Sequence, residues 1–129
     1  MSENFENRSA HTIQSAKEST GEVMIADDVV AIIAGFAATE TEGVASMAGN
    51  ITKELISKLG MKNLSKGVKI EMTDRVVRAM ISINMEYGYS IPKVCVAVQD
   101  KVKAAIENMT GLTVAEVNVK VAGVNVDNN

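Results

Sequence analysis

The 129-residue chain is poor in the residues that build chemical sites. It has one cysteine, Cys95, one histidine, His11, one proline and no tryptophan. A single cysteine excludes an internal disulfide, and a four-ligand zinc site would need more than Cys95 and His11. A Ser–His–Asp or Cys–His catalytic set would depend on His11, which lies in a polar terminal segment. The composition therefore predicts a protein that is not an enzyme and uses no metal or cofactor.

Long apolar runs and an excess of basic charge are also missing. No apolar run reaches the roughly 20 residues needed to cross a bilayer, and the first 20 residues lack the pattern of a secretory signal. The formal net charge of −3 disfavours a dedicated DNA or RNA binder, whose phosphate contacts need a basic surface. We therefore expect a cytoplasmic protein.

The distribution of polar residues divides the chain into tails and one domain. Residues 1–20 are polar and show no sustained apolar period, which predicts a disordered tail. Residues 21–124 carry the periodic patterns and are predicted to form a single globular domain. Residues 125–129 are a short polar tail.

The first part of the domain predicts a strand over residues 22–25 and then a helix. Asp27 or Asp28 is expected to cap the helix, and Gly43 to end it. We attribute Gly35, inside the helix, to close packing on a sheet. One apolar stripe follows at helical spacing, typical of the side of a helix that packs on a core: Val29, Ile32, Ile33, Phe36 and Ala37.

The middle of the domain predicts an antiparallel hairpin. Residues 68–73 and 76–87 both alternate apolar and polar side chains, and Asp74-Arg75 forms a tight connection between them. Between the first helix and this hairpin, residues 44–47 could form a brief strand and residues 50–60 a short helix.

The last part predicts a second helix and a final strand. Ser90 is expected at the N-cap, Pro92 in the first turn, and Gly111 at a left-handed stop. The helix stripe comprises Val94, Val98, Val102, Ala105, Ile106 and Met109, and the strand directs Val117, Val119 and Val121 inward. The order β-α-β-β-α-β indicates an α+β two-layer sandwich, a mixed sheet with two long helices on one face.

Five segments of the chain, in this order and spacing, resemble one family. They are Ser65-Lys66-Gly67-Val68-Lys69-Ile70-Glu71, Glu86-Tyr87-Gly88 with Ile91-Pro92, Val98-Gln99, Met109-Thr110-Gly111-Leu112 and Val117-Asn118-Val119. Together, over residues 21–124, they are similar to the alkaline-shock (general stress) protein family of Gram-positive bacteria. The resemblance implies a small cytoplasmic, non-enzymatic protein linked to alkaline and cell-envelope stress. For some members it also implies association with the membrane through a membrane-anchored protein partner.

A basic stretch is the candidate interaction surface. It comprises Lys53, Lys58, Lys62, Lys66 and Lys69, and with Glu54 it carries +4 while the rest of the chain carries −7. Such a patch could meet anionic headgroups, an acidic partner or a phosphate. The alternative is a solvated surface whose lysines only maintain solubility. The first interpretation predicts that glutamate at Lys58, Lys62 and Lys66 weakens partner capture without unfolding the domain.

Other residues have a functional and a structural interpretation. Cys95 could be a reactive thiol near a helix start, but a buried apolar filler is the commoner role. Tyr87 and Tyr89 could stack on a ligand or pack over the sheet edge. Most of the eight methionines fit core filling, whereas Met47 and Met61 flank the basic stretch.

We therefore expect an interaction protein that uses the open sheet face, a sheet edge or the lysine stretch to bind a partner near the envelope, or a second copy of itself. The alternative is a module for RNA or another polyanion, because exposed sheets of α+β domains often bind RNA. That alternative ranks lower, since the strands lack an exposed aromatic pair.

Overall fold

The computed structural model describes residues 12–13, 21, 23–49 and 60–126. The elements in chain order are β1 Thr12–Ile13, β2 Val23–Met24, α1 Asp27–Thr39, β3 Val44–Met47, a 3-10 helix η1 Met61–Gly67, β4 Val68–Thr73, β5 Val76–Glu86, α2 Ile91–Thr110 and β6 Thr113–Asn125.

The main sheet has four strands, and β5 is its centre. Strand β6 pairs with β5 in parallel along its whole length. On the other edge of β5, β4 pairs antiparallel with residues 76–81 and β3 pairs antiparallel with residues 83–85. The sheet is therefore mixed, as the sequence predicted, because α2 connects β5 and β6 as a crossover.

The two helices form the second layer. They contact each other, and both pack on the sheet. Strand β5 alternates as predicted: its inward side chains are buried, and Arg78, Met80 and Glu86 face solvent. The largest core side chains are Met47, Leu64, Ile81, Ile83, Met85, Ile106 and Leu112, with Val98 and Val102 from α2. This arrangement confirms the α+β two-layer fold.

The N-terminal strand lies outside the main sheet. Val23–Met24 pairs antiparallel with Thr12–Ile13, so β1 and β2 form a separate two-residue ribbon. The main sheet instead includes β3, Val44–Met47, which the sequence analysis gave as a possible brief strand. The predicted helix over 50–60 lies outside the described residues, and η1 was not predicted.

The ends of α1 differ from the prediction. The N-cap is Ala26, whose carbonyl accepts the N–H groups of Val29 and Val30. Asp27 and Asp28 are instead first-turn residues, where a carboxylate still complements the helix dipole. The helix ends at Thr39, before Gly43, and the Thr39 hydroxyl donates to the Phe36 carbonyl at 2.8 Å.

The predicted buried stripe of α1 is only partly buried. Ala37 is buried, and Ile32 and Ile33 are half-buried against the core. Val29 is 47% exposed and Phe36 41% exposed. The buried face carries Val30, Ala31, Ala34, Gly35, Ala37 and Ala38. Residues 29–38 are all apolar, so spacing offered two possible faces. The face with small residues packs inward because it lets the helix approach its neighbours closely.

Gly35 is required by η1, not by the sheet. A Cβ at Gly35 would lie 2.6 Å from the carbonyl oxygen of Leu64. Leu64 is fully buried at this crossing. The glycine therefore allows α1 and η1 to approach closely. The predicted contact of Gly35 with the sheet was wrong, because its close neighbour is Leu64 of η1.

The hairpin and α2 follow the sequence closely. Asp74 and Arg75 form the turn with φ of 51° and 67°, Pro92 lies in the first turn of α2, and Gly111 caps the helix end at φ 78°. Ser90 occupies the N-cap position but makes no side-chain cap hydrogen bond. Met109, predicted to be buried, is 71% exposed and lies near the C-terminal end of α2, on a surface shared with α1.

Candidate binding surfaces

Within the described part of the chain, no three His, Cys, Asp or Glu side chains are close enough together to hold a metal ion. Cys95 is half-buried on α2. None of the helices in residues 12–13, 21, 23–49 and 60–126 combines the length and the apolar character needed to cross a membrane.

The structure describes only part of the predicted lysine surface. Lys66 is exposed in the last turn of η1, and Lys69 is exposed on β4. Lys53 and Lys58 lie outside the described residues, and so does the side chain of Lys62. The five lysines therefore remain a predicted surface.

The open face of the sheet carries both signs of charge. Lys69 lies opposite Met80 of β5. Nε of Arg78 lies 3.9 Å from Oε1 of Glu116 on β6. Glu71 and Asn118 complete a shallow depression of about 400 Å³ here. Met80 also lines this depression, and its side chain is 50% exposed. Lys69 thus belongs to a surface of mixed charge.

A groove with a mainly apolar lining lies between α1 and α2. It has a volume of about 490 Å³ and lies on the outer face of α1. The lining side chains come from both helices: Val29, Ile32, Ile33, Phe36, Ala37 and Glu40 of α1, and Lys101, Ala105 and Met109 of α2. We call this surface the helix groove.

The charged residues of the described groove lining, Glu40 and Lys101, lie at one end of the groove. Asp27 and Asp28 precede the apolar run of α1 and are not part of this lining. The lysine of the lining, Lys101, donates from Nζ to the backbone carbonyl of Glu40 at 3.3 Å. The last turn of α1 contains no basic residue of its own. The ammonium group of Lys101 therefore supplies a positive charge at the negative end of the α1 dipole.

The two tyrosines lie at one end of the sheet. Tyr87 is 73% exposed and lines, with Tyr89, Ile91, Val124 and Val126, a depression of about 560 Å³. The Tyr89 hydroxyl donates to Oε2 of Glu42 at 3.4 Å. The negative charge of Glu42, followed by partial burial and the charge of Glu86, raises the pKa of Tyr89 above its ordinary value of 10.0.

Strand β6 forms an edge of the sheet, and α2 covers its first part. The N–H of Val114 donates to Oε2 of Glu107 at 2.9 Å, and Nε2 of Gln99 donates to the carbonyl of Val117 at 3.1 Å. Both side chains come from α2. They satisfy backbone groups that an edge strand would otherwise offer to another chain.

Sequence reasoning missed the helix groove. It assigned Val29 and Phe36 of α1 and Met109 of α2 to the core, and these three side chains are exposed. The useful signal was the run from Val29 to Ala38, which has no polar residue. A helix that is apolar on every side needs a covering on every side, and the sheet can cover only one.

The chain matches known proteins over most of its length. Over 107 residues it is 37% identical to the uncharacterized protein YqhY of Bacillus subtilis, covering 83% of this chain and 79% of that one. Over 108 residues it is 36% identical to the uncharacterized protein Spy1614 of Streptococcus pyogenes, covering 82% and 89%. A solved MamM CTD variant covers 74% of this chain and 92% of its own at 13% identity, but its TM-score of 0.46 supports no inference.

A family model provides the assignment. The model of the alkaline-shock protein 23 family, described by a cell envelope-related function, matches residues 15–126. This range includes all elements from β2 to β6 and the five segments on which the resemblance rested. The chain belongs to the alkaline-shock protein 23 family.

Proposed function

We propose that this protein is a non-enzymatic interaction protein of the cell envelope, which acts through contact with another protein near the membrane. The observation that carries the proposal is the helix groove, an exposed apolar surface between the two long helices. The family description supports the envelope context. Among the described side chains that line the groove, the charged ones are Glu40 and Lys101, and they lie at the same end.

Exposure of the groove is costly unless a partner covers it. Burying an apolar side chain of the size of Val, Phe or Met contributes about 1.5–3 kcal/mol relative to leaving it in water. Val29, Phe36 and Met109 are each more than two fifths exposed. Contiguous exposed apolar side chains rimmed by polar groups are typical of interaction sites.

The alternative, an RNA or polyanion module, has less support. An RNA-binding sheet presents aromatic side chains on its strands for base stacking. The outward side chains described on β4, β5 and β6 include Lys69, Glu71, Thr73, Arg78, Met80, Ser82, Asn84, Glu86, Glu116, Asn118 and Lys120. They include no aromatic residue, and their acids equal their bases in number. Such a face does not attract phosphate.

Site-specific photo-crosslinking in the native cell tests the proposed function. A photoreactive amino acid replaces Met109 in the helix groove or, as the matched control, Met80 on the open sheet face. Both methionines are at least half exposed but lie on opposite layers. We expect a protein adduct in the envelope fraction from position 109 and none from position 80.

Other adducts would contradict the proposal. RNA attached at either position would favour the polyanion module. Absence of any protein adduct at position 109, in cells where the variant is folded and abundant, would rule out the groove as a contact surface. The glutamate variant of Lys58, Lys62 and Lys66 then serves as a second arm: an adduct that disappears in this variant would add the lysine stretch to the contact surface.

A further inference from the structure

We infer that two copies of this chain pair antiparallel along the outer edge of β4, with Ile70 of one copy opposite Ile70 of the other. In this register Lys69 of each copy lies opposite Glu71 of its partner. The edge shares no residue with the lining of the helix groove. The inference therefore adds a second contact surface, with a second copy of the chain as its occupant.

The outer edge of β4 offers backbone groups for pairing. Among the described strands β4 pairs only with β5. The N–H of Val68 donates to the carbonyl of Ser65 and so points away from β5. Because alternate residues of a strand point their backbone groups the same way, those of Ile70 and Met72 also point outward. No side chain of the described residues bonds to them, whereas Gln99 and Glu107 cover the edge of β6.

The same strand carries two opposite charges without ionic partners. Lys69 and Glu71 are both exposed on the open face of β4. Arg78 is the residue opposite Glu71 on β5, but its guanidinium faces Glu116 of β6. Within the described part of the chain neither Lys69 nor Glu71 makes an ion pair. The edge strand therefore presents a base and an acid, two residues apart, to whatever pairs with it.

These two charges select one register of self-pairing. The outward backbone groups belong to alternate residues, so the register of two antiparallel β4 strands can change only in steps of two residues. With Ile70 opposite Ile70, two Lys69–Glu71 pairs form, one on each side of the two-fold axis. One step in one direction places Lys69 opposite Lys69, and one step in the other places Glu71 opposite Glu71. Directly opposed like charges destabilise a strand pair.

The geometry of the selected register suits both kinds of contact. The two Ile70 residues exchange their N–H and carbonyl groups as a hydrogen-bonded pair. Lys69 and Glu71 then occupy non-hydrogen-bonded positions, where opposite side chains are closest. The half-buried side chain of Ile70 meets its copy on the inner face of the sheet. The two-fold symmetry gives each copy the same contacts, as in isologous dimers, and the six-residue strand makes the contact short and reversible.

Sedimentation velocity on the full chain, over a series of concentrations, tests the pairing. Lys69→Glu places acids opposite acids, and Glu71→Lys places bases opposite bases. We expect each single variant to raise the Kd of the dimer at least about tenfold, because both cross-strand pairs become repulsive. Lys120→Glu, which makes the same charge change at an exposed position of β6, should leave the Kd unchanged. Circular dichroism verifies that each variant is folded.

A mixture of the two single variants tests the register. The acids of the Lys69→Glu chain lie opposite the bases of the Glu71→Lys chain, so the mixture should dimerise about as tightly as the unaltered chain. The double variant Lys69→Glu with Glu71→Lys should also recover self-association, because it restores opposite charges across the axis. Added salt should weaken all of these dimers.

Several results would overturn the inference. They are an unaltered chain that stays monomeric at every concentration, self-association that Lys120→Glu weakens as much as Lys69→Glu, and a mixture that associates no better than its components. The proposed function is judged separately, because its photo-adduct at Met109 lies in the helix groove. Loss of that adduct would remove the proposed function and leave the β4 pairing in place.

Discussion

Single residues matter most in this fold where the backbone leaves no room for a side chain. A Cβ at Gly43 would lie 2.6 Å from Cγ2 of Val94 and 3.0 Å from the ring of Tyr89. Its φ of 95° also favours glycine. The absent side chain lets the start of α2 approach the end of α1, and this approach brings the Tyr89 hydroxyl to Glu42.

The contact between Tyr89 and Glu42 predicts a specific response to alkali. In a Tyr87→Phe background Tyr89 is the only tyrosine, so near-ultraviolet absorbance follows its ionisation alone. We expect the midpoint above pH 10.0, because tyrosinate would form beside a carboxylate. Adding Glu42→Gln should lower the midpoint, and Glu116→Gln, on the open sheet face, should not.

Linkage gives the sign of the effect on stability. The pKa of Tyr89 is higher in the folded chain than in the unfolded chain, so the unfolded chain ionises first as the pH rises. The free energy of unfolding should therefore fall above pH 10.0, and the fall should be smaller in the Tyr89→Phe variant. Identical alkaline unfolding curves for the two proteins would show that Tyr89 makes no contribution.

At the scale of elements, the β4–β5 hairpin has a turn of unusual composition. Two-residue hairpin turns with both residues at positive φ normally have asparagine, aspartate or glycine first and glycine second, because a Cβ is strained there. Here the residues are Asp74 and Arg75. The carbonyl of Arg75 also accepts the N–H of Thr113 at 3.0 Å, so this turn positions the start of β6.

Relief of this strain predicts a more stable protein. Arg75→Gly should raise the free energy of unfolding by about 0.5 kcal/mol, the balance between lost strain and the greater freedom of glycine in the unfolded chain. Arg75→Ala is the matched control, because it also removes the side chain but keeps the strain. Chemical denaturation in urea measures the difference between the two variants; equal stabilities would mean that the turn is unstrained.

The elements that the sequence predicts well are those specified by local signals. Strands β4 and β5 were predicted from the alternation of apolar and polar residues. Helix α2 was predicted from Pro92 near its start and Gly111 at its end. The inward face of α1 could not be predicted in this way, because residues 29–38 are apolar on every side. Close packing against Leu64 and α2 decides which face turns inward. The helix groove was therefore invisible to spacing alone.

At the scale of the whole molecule, the exposed edge of the sheet affects how molecules meet. Strand β6 is 13 residues long, and among the described strands it pairs only with β5. Long edge strands promote association unless they are covered. In this protein α2 supplies the cover through Gln99 and Glu107.

Removing this cover should promote association. We expect Gln99→Ala with Glu107→Ala to increase concentration-dependent self-association, because the N–H of Val114 and the carbonyl of Val117 lose their partners. Analytical ultracentrifugation measures the change against the unaltered chain, and Lys103→Ala, an exposed α2 residue, is the control. A sedimentation profile unaffected by the double substitution would show that the side chains do not protect the edge.

The position of β5 has a consequence for how the sheet opens. Every pairing in the described four-stranded sheet includes β5. Detachment of β3, β4 or β6 therefore leaves the other two strands in place, so each can open as a local fluctuation. Strand β5 can leave only when the sheet as a whole comes apart. Its amide protons should be the last to exchange with solvent, at a rate that reports global unfolding.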